Sequence, residues 1–349
     1  MDPMNWDMPV PTRRGFRFRM TRRMIRMRHW VFGLDRYHHG SSYFEPEGVE
    51  HARQVCEDAN RDFSAFIAPP DDVPLESVRK ETQRVRRDGV QVQRWSFDSP
   101  LPSGVANNDR VHLQLFTPPG VAADEPVLLF HHPVYQRHWS RWEWFLKPLI
   151  QKMPVAVLAG PYHFERTPDG QFPGEGAMNA NPARLYQAIR QWCWDHEAAV
   201  ELLRTQVGRE LRANVGFSLG GFQLLALAST GRVNVPMVTI SATNRYAWGL
   251  THGLIGTGLK RSIDQAGLDD PTFRRWTAAL QMDRHVESLR SKRLLYIFGS
   301  LDRVDPPPSL ERLRDALQPE RVIELPMGHG TILFQRRRIS QEIEAFLAL

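Results

Sequence analysis

Cysteine is nearly absent from this chain. Two residues, Cys56 and Cys193, in 349 are too few for a disulfide framework or for a zinc centre built on thiolates. Lysine is almost as scarce, with Lys80, Lys147, Lys152, Lys260 and Lys292 the only five among 45 basic residues, so arginine carries the positive charge. No stretch approaches the ~18 uncharged apolar residues that a membrane-spanning helix needs. Arginines interrupt the apolar residues of the N-terminus every two or three positions, a pattern unlike the apolar core of a secretory leader, so none is expected. These absences lead to the expectation of a cytoplasmic, non-spanning protein, and the 42% hydrophobic content to one packed as an ordinary globular chain.

The formal charge of +6 is unevenly placed. Arg13, Arg14, Arg17, Arg19, Arg22, Arg23, Arg26 and Arg28 follow one another with no acidic residue between, and taking these eight from +6 leaves −2 for the remainder. The basic character therefore belongs to one segment, and since that segment matches no nucleic-acid-binding motif, no nucleic-acid partner is expected. Phe16, Met20, Met24, Met27 and Val31 recur at helical spacing, which predicts a basic amphipathic helix. Two uses suit it. The apolar stripe can pack on the body of the protein, or the helix can lie on an anionic membrane surface, where each basic residue contributes about 1 kcal/mol.

Residues 1–89 read as an N-terminal extension with a short helix over 46–66 and a Pro-rich connector at 68–74. From Val90 to Leu349 strands alternate with helices, the pattern of an α/β domain with a mostly parallel sheet and helices on both faces. The apolar runs expected as strands are Val90–Phe97, Arg110–Phe116, Val127–Phe130, Pro154–Ala159, Leu211–Phe217, Val235–Ser241, Leu294–Phe298 and Val322–Leu325. The connection over about 244–292 is too long for a compact sheet and is expected to form a cap over the site.

Gly216-Phe217-Ser218-Leu219-Gly220-Gly221 matches G-x-S-x-G between an apolar strand and an apolar helix. Small residues flanking the serine let strand and helix come close at a strained turn, which raises the serine hydroxyl at the sheet edge in front of a helix N-terminus. A serine hydroxyl needs a base, and the base an orienting acid. Asp302, just beyond the run Leu294–Phe298, and His329, just beyond Val322–Leu325, follow Ser218 in the order that this motif requires, at separations of 84 and 27 residues. Asp305 is the rival acid, but it leads into three prolines and reads as part of a turn. The developing oxyanion calls for the amide of Leu219 and one from the loop after the third strand, Val127–Phe130, where Pro133 has no N–H and Val134, or else Tyr135, is the candidate.

Other features have plainer readings. Gly253, Gly256 and Gly258 before Lys260 match no phosphate loop, and adjacent histidines at 38–39 and 131–132 point apart on an extended chain, so no metal and no cofactor is expected. His163 and Arg166 follow the strand ending at Ala159 and either contact an anionic group of the substrate, together with Tyr135, or fix their loop through a salt bridge. Trp139, Trp142, Trp144 and Phe145 read as core or pocket lining, or else as a lipid-contacting surface.

Over residues 90–349 the chain resembles the α/β-hydrolase superfamily. The elbow at 216–221, His138 and Arg141, Pro161-Tyr162 with Arg166, Pro168 and Gln171, and Gly328-His329 are similar to the α/β-hydrolase domain-containing protein 18-like branch, although His132-Pro133-Val134 stands where that branch has a glycine-containing loop. The resemblance implies an α/β-hydrolase fold and hydrolysis of esters, lipid esters included. Expected, then, is a cofactor-independent serine hydrolase cleaving small-molecule or lipid carboxylic esters, with peripheral membrane contact through the N-terminal helix. A catalytically silent lipid-binding protein on the same fold and an amidase or peptidase are the alternatives.

Overall fold

The computed structural model describes residues 48–178, 181–244, 263–264, 267–290 and 292–348. The amphipathic helix expected at 16–31, the histidines at 38–39, and residues 245–262 of the expected cap lie outside the described residues.

Short apolar runs become strands here because each face of the sheet has its own apolar layer. In β4 (Val127–His131), Val127 and Leu129 enter one layer while Leu128 and Phe130 enter the other. The same alternation runs through β8 (Leu294–Gly299), where Leu294, Tyr296 and Phe298 oppose Leu295 and Ile297. The remaining strands are β1 (Arg79–Val85), β2 (Gln91–Asp98), β3 (Arg110–Thr117), β5 (Val155–Leu158), β6 (Leu211–Phe217), β7 (Met237–Ile240) and β9 (Arg321–Leu325). They form one sheet in the order β1-β2-β3-β5-β4-β6-β7-β8-β9. The pairs from β5 through β9 are parallel, and β1, β2 and β3 add antiparallel pairings at one edge.

The first layer holds α1 (Gly48–Arg61), α2 (Phe63–Ile67), α4 (Pro182–Leu202), α5 (Leu219–Ser229) and α8 (Pro307–Leu317). On the opposite face lie α3 (Ser140–Ile150) and α9 (Arg336–Leu347). Local signals set several starts. Asn181 accepts from the Ala183 amide at 2.9 Å with Pro182 opening α4, and Asp62 accepts from Ala65 at 2.9 Å to cap α2.

Two features depart from the sequence pattern. No strand is legible ahead of Val90, yet β1 pairs along its length with β2, so the boundary expected at residue 90 falls inside one continuous sheet. Every residue of β1 is exposed; it holds by backbone pairing and carries no apolar alternation to read. The expected cap sends its described part into the first helical layer. There α6 (Asp270–Trp276) and α7 (Val286–Leu289) pack on α1 and α5, with Asn60 Nδ2 donating to the carbonyls of Arg275 and Trp276 at 3.0 Å each and the Tyr186 hydroxyl donating to Trp276 at 2.9 Å.

One wholly buried ion pair ties the loop after β5 to α4. Arg166 Nη1 lies 2.7 Å from Asp195 Oδ2, its Nε donates to the Asn108 carbonyl and its Nη1 to the Ala159 carbonyl, both at 2.8 Å. Ser99 Oγ donates to the other Asp195 oxygen at 2.6 Å. Burial pushes the Asp195 carboxyl above its ordinary range, with the Arg166 charge opposing. Arg166→Met leaves that carboxylate buried without its cation and is expected to lower unfolding stability by about 3–5 kcal/mol, with Asp195→Asn recovering part of the loss in the double variant. Urea denaturation measures this, and an unchanged midpoint for Arg166→Met contradicts the role given to the pair.

Candidate active site

Strand order reverses around β4, since β5 lies on one side of it and β6 on the other, and the loops that follow β4 and β6 part at their carboxyl ends. Ser218 stands at this crevice, between the end of β6 and the start of α5. Its backbone has φ 55 and ψ −114, a conformation that L-residues rarely adopt. The turn is held by the Ser218 amide donating to Ile240 at 2.8 Å and by the Phe222 amide donating to the Ser218 carbonyl at 2.9 Å.

The turn also depends on glycine. A Cβ at Gly220 would lie 2.1 Å from the His131 carbonyl oxygen, and one at Gly216 would lie 2.4 Å from the Gly220 oxygen. Strand and helix therefore meet through bare backbone. Non-glycine residues with positive φ recur in four successive loops at this end of the sheet: Tyr135 after β4, Tyr162 and Phe164 after β5, Ser218 after β6 and Ser241 after β7. Such strain persists where surroundings over-determine it, as the Phe164 amide donating to Gln136 at 2.8 Å and the Ser241 amide donating to Ile297 at 2.7 Å do here.

The three side chains expected to work together form one hydrogen-bonded chain. Ser218 Oγ donates to His329 Nε2 at 2.7 Å, and His329 Nδ1 donates to Asp302 Oδ2 at 2.7 Å. The Asp302 carboxylate is wholly buried, and its other oxygen accepts from the amides of Val304 at 2.8 Å and Asp305 at 3.2 Å. Asp305 is engaged elsewhere: its Oδ2 accepts from the Asn244 amide at 2.5 Å, which ties the loop after β7 to the loop after β8. Gly299 is a residue that the motif does not mark. A Cβ there would lie 2.3 Å from the Met327 oxygen, so the loop carrying His329 closes over β8 only where the side chain is missing.

Leu219 opens α5, and its amide belongs to the first turn, whose N–H groups no helical carbonyl can take. Val134 is half-buried in the loop after β4, and Tyr135 follows it, half-buried against Phe172. His132 clamps that loop. Its Nδ1 donates to the Pro133 carbonyl at 2.7 Å while Nε2 accepts from the Gly160 amide at 2.8 Å.

His163 and Arg166 take the loop-fixing role rather than facing a substrate. Arg166 is enclosed with Asp195, and His163 is wholly buried, its Nδ1 donating to the Pro161 carbonyl at 2.7 Å. Trp142 and Phe145 are core residues, whereas Trp144 is exposed. Among the described residues no group of three or more His, Cys, Asp or Glu side chains is arranged to hold a metal ion, and no helix is long and apolar enough to cross a membrane.

No family model matches the chain, and no curated protein is significantly similar to it. Solved structures are. The acetyl xylan esterase from Paenibacillus sp. R4 superposes with a TM-score of 0.61 at 17% identity, covering 89% of this chain and 98% of its own. This chain has the α/β-hydrolase fold. Acetyl xylan esterase 1 from Thermoanaerobacterium sp. JW/SL YS485 gives a TM-score of 0.54 at 15% identity over 91% of this chain and 97% of its own. The thermostable carboxyl esterase from Bacillus coagulans gives 0.50 at 14% identity over 74% and 98%. Within the α/β-hydrolase fold these identities speak to architecture, and the chemistry must come from the site.

Four buried imidazoles gather around Trp192 beneath the crevice. His131 stacks on His196 with centroids 5.1 Å apart, and the His132 and His163 rings meet at 4.8 Å. Burial holds all four below the ordinary histidine range, His163 at about 4 and His196 at about 3. The unfolded chain, with histidines near 6.5, binds more protons than the folded one between that pH and the folded values, so stability falls as pH drops through this window. Each such group contributes a loss of up to about 1.4 kcal/mol per pH unit. Urea midpoints are expected to decrease steeply from pH 7 to pH 5, and a midpoint that holds or rises contradicts the neutral, buried cluster.

Proposed function

We propose that this protein is a serine hydrolase that cleaves carboxylic esters through an acyl-enzyme. The observation that carries the proposal is the continuous hydrogen-bonded chain from Ser218 through His329 to Asp302, anchored on a strained turn at the carboxyl edge of the sheet. His329 takes the proton from Ser218 Oγ as the oxygen attacks the substrate carbonyl, and Asp302 holds the imidazole in the tautomer that makes this possible. The amides of Leu219 and Val134 receive the negative charge that develops on the carbonyl oxygen. His329 then passes the proton to the leaving alcohol and activates water to release the acid. Tyr135 is the substrate-contact candidate beside the Val134 amide.

Esters are favoured over amides because the solved structures with the same fold are described as acetyl xylan and carboxyl esterases. Lipid esters and the α/β-hydrolase domain-containing protein 18-like branch enter this proposal through the sequence motifs alone. Of those motifs, Arg166 works by holding its loop, which makes that part of the resemblance one of architecture. Membrane contact through the arginine-rich segment at 13–28 belongs to the same proposal.

A fluorophosphonate probe is expected to label the wild-type protein and to leave Ser218→Ala unlabelled. With p-nitrophenyl esters of graded chain length, Ser218→Ala and His329→Ala should each lower kcat by about 10⁴-fold or more, and Asp302→Asn by a comparable factor. Equal labelling of wild type and Ser218→Ala, or faster turnover of matched anilides than of esters, contradicts the proposal.

A further inference from the structure

Few large apolar side chains reach solvent among the described residues, and two of them touch. Trp144 on α3 is 41% exposed, Phe334 in the turn of 3₁₀ helix after His329 is 66% exposed, and their rings meet edge to face at 6.4 Å. The core gains nothing from holding these rings outside it. Their setting is cationic. The Arg336 guanidinium stacks over Trp144 at 4.4 Å and donates to its carbonyl. Along α3, Arg141, Trp144 and Lys147 follow at three-residue spacing, so the three exposed side chains share one face of the helix. Arg337 and Arg338, both exposed, continue from Arg336 in the first turn of α9. The acidic residue on this part of α3, Glu143, already faces Arg84 at 3.8 Å and Arg86 at 3.7 Å, which arrive from the β1 edge.

We propose that the seam between α3 and α9, with Trp144 and Phe334 as apolar wedge and Arg141, Lys147, Arg336, Arg337 and Arg338 around it, is a docking surface for an anionic lipid surface. Aromatic rings suit the boundary between headgroup and acyl chain, while arginine and lysine rest their stems on apolar surface and keep their charges at the headgroups. Charge complementarity selects this occupant over the others. The arginine-rich segment at 13–28 carries the same sign as the patch, and a second copy placed by a two-fold axis would set these cations against one another. Phe334 lies five residues beyond His329, so docking here brings the loop of the candidate base to the interface. The proposal goes beyond the esterase reading and does not require it.

Cys56 and Cys193 are buried, so a single thiol introduced by Phe334→Cys in the full-length protein can be labelled selectively with an environment-sensitive fluorophore. Asp124→Cys, in an exposed loop before β4 at the opposite end of the strands, is the control. Vesicles of phosphatidylcholine with phosphatidylglycerol are expected to shift the emission of the label at 334 to the blue, an effect reversed by high salt and missing with phosphatidylcholine alone. The label at 124 should not respond. Arg337→Gln with Arg338→Gln should weaken vesicle partition about fivefold per arginine removed. Silence at 334 overturns the proposal, as does a response at 124 instead, or a blue shift at 334 without vesicles that follows protein concentration and marks a second copy. Because the label reads docking and not turnover, an inactive enzyme with a responding label would sink the esterase reading and leave this one standing.

Discussion

The backbone of α5 rests directly on the end of β4, at the point where Gly220 meets the carbonyl of His131, and the geometry of the crevice depends on that contact. A side chain at Gly220 would drive the helix away from the strand, since its Cβ would overlap the His131 oxygen at 2.1 Å. Holding the two together has three results. Ser218 is held in its strained turn, α5 begins immediately after it at Leu219, and the loop that begins at His132 runs against the start of that helix. Packing, conformational strain and electrostatics thus converge on one backbone approach.

The far side of the site obeys a similar logic. Asp302 and His329 come from successive loops, after β8 and β9, and reach one another because Gly299 lets the Met327 backbone close over the strand end. Asp302 is placed twice over, by His329 on one oxygen and by the amides of Val304 and Asp305 on the other. Asp305, three residues away, fastens the loop after β7 through Asn244. Two carboxylates in one short loop divide between orienting the imidazole and bracing its neighbourhood. On the near side the buried Arg166–Asp195 pair and the His132 clamp do the bracing, so the crevice is lined by loops that the scaffold holds from behind.

Much of this was legible in the sequence. Mostly apolar runs located the inner strands to within a residue or two, because those strands are covered on both faces, with Asn214, Thr239 and His131 the buried polar exceptions. The order of Ser218, Asp302 and His329 at three strand ends marked residues that the fold does bring into contact. What escaped is equally physical. β1 is held by backbone pairing and presents seven exposed residues, so no pattern announced it. Arg166 and His163 resembled substrate contacts because a loop position does not reveal burial, and the partner of Arg166 sits in the middle of α4, 29 residues on. Gly299 carried no motif because its role is defined by a backbone that approaches from another strand. The described part of the long connection near 244–292 joined the helical layer through Asn60, a contact 215 residues apart that no local signal encodes.

In the proposed reaction the Oγ of Ser218 is the atom that carries the acyl group. Rapid quenching of the full-length protein with a short-chain p-nitrophenyl ester, followed by intact-mass and peptide mass spectrometry, tests it directly. A mass increase equal to the acyl group less the hydroxyl hydrogen it replaces, located on Ser218 and formed in step with a burst of p-nitrophenol, is the predicted result. Steady release of p-nitrophenol with no adduct on Ser218 at any time, under conditions where deacylation is slowed, would contradict it.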